Sequence, residues 1–234
     1  MKQQLLEHIL FLDIETVGAI ESYSQLDERM KYHWDKKSQW IKHADEQRSE
    51  ELYQRAGIYA EFGKVICVSV AYLKGDILRI KSFVDDDEKK LLEDFAVLLN
   101  KHFSKDYHRL CAHNGKEFDF PYLCRRMLLQ SIPLPSILNV TGKKPWETTF
   151  LDTLEMWKFG DYKHYTSLDL LATLFNIPSP KDDIDGSEVH NVYWQTKDLQ
   201  RIANYCEKDV LTVVQLFLRY QGKELLSENQ IMIV

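Results

Sequence analysis

Two acids stand at alternate positions near the end of an apolar run, HILFLDIETVG, residues 8–18. An extended chain points Asp13 and Glu15 to one face. A carboxylate held away from water there must be neutralised or paired. Two more carboxylates have similar contexts. In AHNGKEFDFPYL, Asn114 ends a strand pattern and Asp119 falls in the first turn of the next helix, at the carboxyl edge where α/β sheets bind ligands. In the last helical pattern Leu199, Ile202, Cys206, Val210, Val213 and Phe217 make one apolar stripe. Asp209 lies roughly 60° from its centre, with Tyr205 one turn earlier. The residues three and four places from Asp209 are Tyr205, Cys206, Thr212 and Val213, and none is a cation. Gathered together, Asp13, Glu15, Asp119 and Asp209 would be hard oxygen ligands suited to Mg²⁺ or Mn²⁺. Two such ions, about 3.5–4 Å apart, clamp the attacking and leaving oxygens of a phosphodiester.

Each pattern alone is weak, and the chain holds its own controls. D-x-E recurs at Asp86 and Glu88, where an exposed helix start accounts for it. Y-x-x-x-D recurs at Tyr23/Asp27, Tyr72/Asp76 and Tyr165/Asp169. Asp119 and Asp169 each have a second reading as a first-turn acid that favours the helix dipole. The Asn114-to-Asp119 arrangement, N-x-x-x-F-D, occurs once.

The elements that must position these acids follow from periodicity. Residues 9–15 form a first strand, KVICVSVAYL is apolar on both faces like a central strand, and ILRIKSFV pairs back on it after KGD. DDDEKKLLEDFAVLLNKHF is an amphipathic helix with acids at its start. HRLCAHN is a fourth strand running into a helix at GKEFDFPYLCRRMLLQ, and TFLDTLEMW holds a short fifth strand and a helix start. Residues 131–150 form an irregular connection with a basic, aromatic tip, TGKKPWE. TSLDLLATLFN is a helix stopped at IPSP, KDDIDGSEV is a loop, and Lys197–Tyr220 is a long last helix. This order predicts an α/β fold with a mixed sheet and helices on its faces. Residues 21–60, highly charged, read as a helical insertion outside the sheet, with one or two surface helices.

The chain of 234 residues is long enough for one sizeable core, so a single domain over 1–234 is expected. The net charge of −6 gives no basic footprint for nucleic acid, but bound divalent cations would offset several acids locally. Cys67, Cys111, Cys124 and Cys206 have no zinc-like spacing and read as reduced thiols. The N-terminal apolar run is short and broken by Glu7 and His8, unlike a signal peptide, and no segment is long enough to span a bilayer. The expectation is a cytoplasmic protein with no membrane partner.

Taken in order, DIET, NGKEFD and YCEKD resemble the three motifs of the DEDD (DnaQ-like) 3′–5′ exonucleases, the last in its tyrosine (DEDDy) form. AEFGKVICVSVAY, KPWETTFLDTLEMWKFGD and SPKDDIDGSEV are similar to the stand-alone group described as PolB-like predicted 3′–5′ exonucleases, so the resemblance covers nearly the whole chain. It implies a ribonuclease H-like fold with five strands in the order 3-2-1-4-5, strand 2 antiparallel. It implies a phosphodiester hydrolase with Asp13, Glu15, Asp119 and Asp209 as metal ligands and Tyr205 as a fifth catalytic residue. Asp13, Glu15 and Asp209 would hold the ion of the nucleophilic water, and Asp13 and Asp119 the ion beside the leaving 3′ oxygen. Tyr205, with an ordinary pKa near about 10, would orient the water. Among the two Y-x-x-x-D candidates, Tyr205/Asp209 fits the order of motifs and His164, Tyr165 and Asp169 do not.

Substrate contacts are expected at Thr16, Asn114, Phe120 and Trp146. Tyr122, Tyr162 and Tyr165 are further rings that could stack on unpaired bases, and Lys143, Lys144 and Lys163 could meet phosphates. Helix packing is the equal alternative for Phe120 and Tyr122. The implied partners are DNA 3′ ends, single-stranded or frayed, and a replication or repair protein, in proofreading or in repair. The alternatives are a 3′–5′ exoribonuclease of the same superfamily and a non-catalytic module that binds nucleic-acid ends or a polymerase.

Overall fold

The structure, a computed structural model, describes residues 3–41, 47–161, 165–178 and 184–234. The first strand, β1 (Ile9–Gly18), is apolar on both faces, and the two faces feed different cores. Leu10, Leu12 and Ile14 pack with Leu92, Phe95 and Leu99 of α3 (Glu88–His102) and with Leu123 and Met127 of α4 (Asp119–Leu129). Ile9 and Phe11 pack on the opposite side with Val210, Val213 and Phe217 of α8 (Leu199–Tyr220). Each such side chain contributes about 1.5–3 kcal/mol by leaving water. Asp13 and Glu15 continue the row of Ile9 and Phe11, so they face α8.

Between β1 and α3 the chain forms α1 (Glu28–Ser38), α2 (Ser49–Leu52), β2 (Gly63–Lys74) and β3 (Ile77–Val84). After α3 come β4 (Arg109–Ala112), α4, β5 (Leu151–Asp152), α5 (Thr153–Lys158), α6 (Leu168–Leu174), α7 (Val189–Asn191), α8 and β6 (Ile231–Ile233). The sheet order is β5-β4-β1-β2-β3-β6. β2 runs antiparallel to both its neighbours, and β4 and β5 run parallel to β1. The five expected strands are therefore present in the expected order. The sixth, β6, adds itself in parallel to the β3 edge, with Leu78 opposite Ile231. Its three residues are too few to show a period of two.

β4 ends opposite the middle of β1: Phe11 pairs with Cys111, and Ala112 is the last residue of β4. From Asp13 onward β1 has lost that neighbour. The acids therefore lie at the point where the sheet opens, beside the N-terminus of α4. On the other side Asp13 pairs with Ser69 and Glu15 with Cys67 of β2, and the register slips between Glu15 and Thr16. Such a bulge re-aims side chains locally.

The insertion is more than a surface element. Trp34 is 0% exposed and packs with Leu26, Leu52, Tyr53 and Phe62 in a core of its own, and its indole Nε1 donates to the Ser49 carbonyl at 2.7 Å. Its last turn closes on the end of β1. A Cβ on Gly57 would stand 3.0 Å from Val17 Cα, so only glycine lets the backbones approach. Tyr122 of α4 ties the same spot down, its hydroxyl donating to the Gly57 carbonyl at 2.7 Å.

Glu88 corrects one expectation. It does begin a helix, but it is 5% exposed rather than at the surface. Arg126 Nε and Nη2 reach its two oxygens at 2.8 and 2.6 Å, and Val65 N–H and Gln130 Nε2 complete the set at 2.8 and 2.7 Å. Where a buried acid serves the fold, this chain supplies a guanidinium and amides.

Candidate active site

Asp13 and Glu15 have no such arrangement. Among the described residues, the largest charge effects on them come from other acids. Burial and the neighbouring carboxylates of Asp209 and Asp119 push Asp13 well above the usual carboxylate range. Burial, then Asp13 and Asp209, do the same to Glu15. Among the described residues the Cys206 thiol favours the Asp13 anion, 3.3 Å from its Oδ2 and 3.4 Å from its main-chain oxygen.

Asp119 is the first residue of α4 and is 4% exposed. Burial raises its carboxyl to about 7, against hydrogen bonds from its own amide and that of Ile14 that favour the anion. Ile14 lies past the end of β4, and the helix-start acid takes up an amide freed by the missing strand.

Asp209 and Tyr205 are both half-buried on α8, as their angle to the apolar stripe requires. The Tyr205 hydroxyl hydrogen-bonds to Asp209 across one turn, and burial, Asp209 and Glu15 together drive its pKa far up. Tyr205 thus keeps its proton at any ordinary pH. Asp13, Asp209, Tyr205, His113, Tyr165 and Asp169 line one cleft of about 220 Å³. Asp169 reaches that cleft from the first turn of α6, yet Asp209 and Asp119 are the acids that act most on Asp13.

The donor set fits a divalent cation. One ligand atom from each of Asp13, Glu15 and Cys206 lies within 4.8 Å of the others. Mutually repelling carboxylates are costly to bury, and an ion with oxygen preference removes that cost.

The loop from β4 to α4 is held by an acid that the sequence patterns did not single out. Asp152, 3% exposed at the end of β5, accepts from Asn114 N and Lys116 N at 3.0 Å each, Leu154 N at 2.9 Å and Glu155 N at 3.3 Å. It caps α5 and fixes the turn in which Asn114 takes a left-handed φ of 61°. An acid between a strand pattern and a helix start was the available signal. His113 was also missed. Its Nε2 donates to the Thr166 carbonyl at 3.1 Å, leaving Nδ1 to accept from Thr153 Oγ1 at 2.9 Å. Glu207, in the motif YCEKD, is buried and accepts from Ser82 at 2.7 Å.

The expected substrate contacts divide. Thr16 is half-buried next to the acids and hydrogen-bonds to the Tyr122 hydroxyl. Asn114 is half-buried at the end of β4. Phe120 is 1% exposed, its ring 4.3 Å from that of Phe150, so it is core and offers no face to a base. Tyr122 is likewise core. Trp146 is 77% exposed, with Lys144 Nζ 5.3 Å above its ring. Tyr165 is exposed at the cleft. Tyr162, Lys163 and His164, and residues 179–183 of the SPKDDIDGSEV loop, lie outside the described residues.

A family model described as "Predicted 3'-5' exonuclease related to the exonuclease domain of PolB" matches residues 58–230. DNA polymerase 1 of Pyrococcus abyssi is 27% identical over 197 residues, covering 75% of this chain and 24% of that one. A DNA polymerase of Pyrococcus glycovorans is 23% identical over 195 residues, with 71% and 23% covered. The chain thus spans about a quarter of the length of these relatives. Among solved structures, the family B DNA polymerase from the hyperthermophilic archaeon Pyrobaculum calidifontis matches with a TM-score of 0.57 and 15% identity, over 90% of this chain and 24% of that one. That likeness speaks to the fold, which is ribonuclease H-like. Among the described residues no helix is long and apolar enough to cross a membrane.

Proposed function

We propose that this chain, which belongs to the family of predicted 3′-5′ exonucleases related to the exonuclease domain of PolB, is a metal-dependent 3′–5′ exonuclease acting on single-stranded or frayed DNA ends. The observation that carries the reading is that Asp209 and Asp119 press on the Asp13 carboxyl, and Asp13 and Asp209 on that of Glu15, raising both well above the usual carboxylate range. Asp13, Glu15 and Asp209 would hold one divalent ion, and Asp13 and Asp119 a second. Two ions bound there would neutralise the acids, make water nucleophilic near neutral pH and stabilise charge on the leaving oxygen.

The side chains themselves do the positioning. Cys206 donates to Asp13 and fixes the rotamer of the carboxylate common to both sets. Ile14 N–H and the α4 N-terminus hold the Asp119 carboxylate against β1. Tyr205 is a donor anchored on Asp209 and not a base, because its proton is held too tightly to leave. It can orient a water by hydrogen bonding. His113, neutral because burial lowers its pKa, and exposed Tyr165 frame the cleft. Thr16 and Asn114, beside the acids, support contact with the terminal nucleotide. Trp146, at the exposed tip, would meet a strand farther out.

The test is a 5′-labelled single strand of DNA and the RNA of the same sequence, each incubated with Mg²⁺ or Mn²⁺. Shortening of the DNA supports the reading. Shortening of RNA alone would make the chain an exoribonuclease, and binding without shortening of either would make it an end-binding module.

A further inference from the structure

Two residues past Glu15 on the same sheet face, the chain builds a cationic and aromatic cluster that the acid site does not use. Val17 follows Glu15 by two positions, about 7 Å along the strand, and Lys64 of β2 is its direct cross-strand partner. Directly opposite residues share a face, so Lys64 projects on the α8 side with the acids. There its Nζ lies 4.8 Å from the Tyr193 ring centroid and 5.9 Å from that of Trp194. Lys197 Nζ lies over the same two rings at 3.8 and 4.3 Å. The rings are fixed from below: Tyr193 is buried and its hydroxyl donates to Asp86, and Trp194 Nε1 donates to the Gly18 carbonyl at 3.3 Å.

The charges do not cancel. Of the acids at the start of α3, Asp85 pairs with Lys90, and Asp87 caps the helix by accepting from Lys89 N and Lys90 N. Among the described residues Asp86 pairs with both ammonium groups, at 3.7 Å from Lys64 and 3.5 Å from Lys197, while Glu88, already bound by Arg126, acts on Lys64 less than Asp86 does. In these described pairs two lysines share one carboxylate, in a chain whose net charge is −6. The backbone here is also unusual. Residues 192–196 form a π-helical turn, a rare feature that is frequent at functional sites. Lys197, directly after it, is held at a left-handed φ of 55° that a lysine adopts only at a cost. A plain clamp between α3 and this turn would need one lysine. The second remains half-exposed.

We propose that Lys64 and Lys197, shelved on Tyr193 and Trp194, anchor a backbone phosphate of a single-stranded nucleic acid whose 3′ end lies at the acids. Trp194, half-buried, contributes apolar surface on which a base or sugar rests, and buried Tyr193 supports the lysines from beneath. This rests on the exonuclease reading for the position of the 3′ end, but not for the affinity.

The experiment is fluorescence anisotropy of a labelled single-stranded DNA against the whole chain in Ca²⁺, repeated over a series of salt concentrations. Lys197→Gln is expected to weaken binding about three- to tenfold and to lower the slope of log affinity against log salt by about 0.7, the increment of one phosphate contact. Lys197→Arg should restore the slope. Lys64→Gln should act in the same direction, and Lys101→Gln, on α3, should leave the slope unchanged. An unchanged slope in Lys197→Gln, or a wild type without measurable affinity, overturns the anchor. If wild type cuts the strand in Mg²⁺ while Lys197→Gln keeps the wild-type slope, the anchor fails and the exonuclease reading stands. If wild type binds with the expected slopes but never cuts, the anchor stands and the exonuclease reading fails.

Discussion

Asp13 is placed where a carboxylate does least for the fold. It is pressed by burial, Asp209 and Asp119, and its hydrogen-bond donor is a weak thiol. Asp13→Asn should therefore raise metal-free stability by about 1–2 kcal/mol, roughly 3–6 °C in melting temperature for a chain of this size, while reducing cleavage by at least about 1,000-fold. A melt in chelator beside a cleavage assay checks both halves. Tyr205→Phe removes only an orienting hydroxyl, so its loss should be smaller, about 10–100-fold. The choice between the two Y-x-x-x-D patterns has its own comparison: Asp209→Ala should abolish cleavage, whereas Asp169→Ala should stay within about tenfold of wild type. Full activity in Asp209→Ala would reverse that assignment. These acids were legible in the sequence because an apolar strand and an apolar helix stripe make a carboxylate conspicuous. Phe120 was misjudged because an aromatic beside a motif looks the same whether it faces a cleft or Phe150.

At the scale of elements, the site depends on where strands stop. β4 ends at Ala112, and Asp152 at the end of β5 gathers the amides of Asn114, Lys116, Leu154 and Glu155 to turn the chain into α4. Asp152→Ala removes that acceptor and should cost about 2–4 kcal/mol, with Asp119 shifting and activity falling. Asp152→Asn, which keeps one oxygen, should cost less in the same denaturation curve. The sequence patterns located β4, β5 and both helix starts. They could not show which acid receives the loop amides, because a buried acceptor and an exposed first-turn acid read alike. The same ambiguity hid Glu88, whose partner Arg126 stands 38 residues away. β6 was missed for want of length, and the insertion's core around Trp34 because its charge content masked six buried apolar residues among those described.

For the whole molecule, the account is of a fold that tolerates a destabilising cluster for the sake of cation binding. The sign of its pH dependence follows from Asp119, whose carboxyl is raised from 3.8 to about 7 in the folded state. The folded form then holds a proton that the unfolded form has lost between those values, so this group's penalty is absent at low pH and grows as pH rises through that window. In chelator, the stability advantage of Asp119→Asn over wild type should widen from about pH 5 to about pH 8. Adding Mn²⁺ should shrink or reverse it. The central claim, that these acids remove nucleotides from a 3′ end, is tested most directly by a single strand labelled on its 3′-terminal nucleotide. With Mn²⁺, wild type should release that label as a mononucleotide before the rest of the strand shortens, and Asp13→Ala should release none. Retention of the label by wild type, or equal release by Asp13→Ala, would contradict the account.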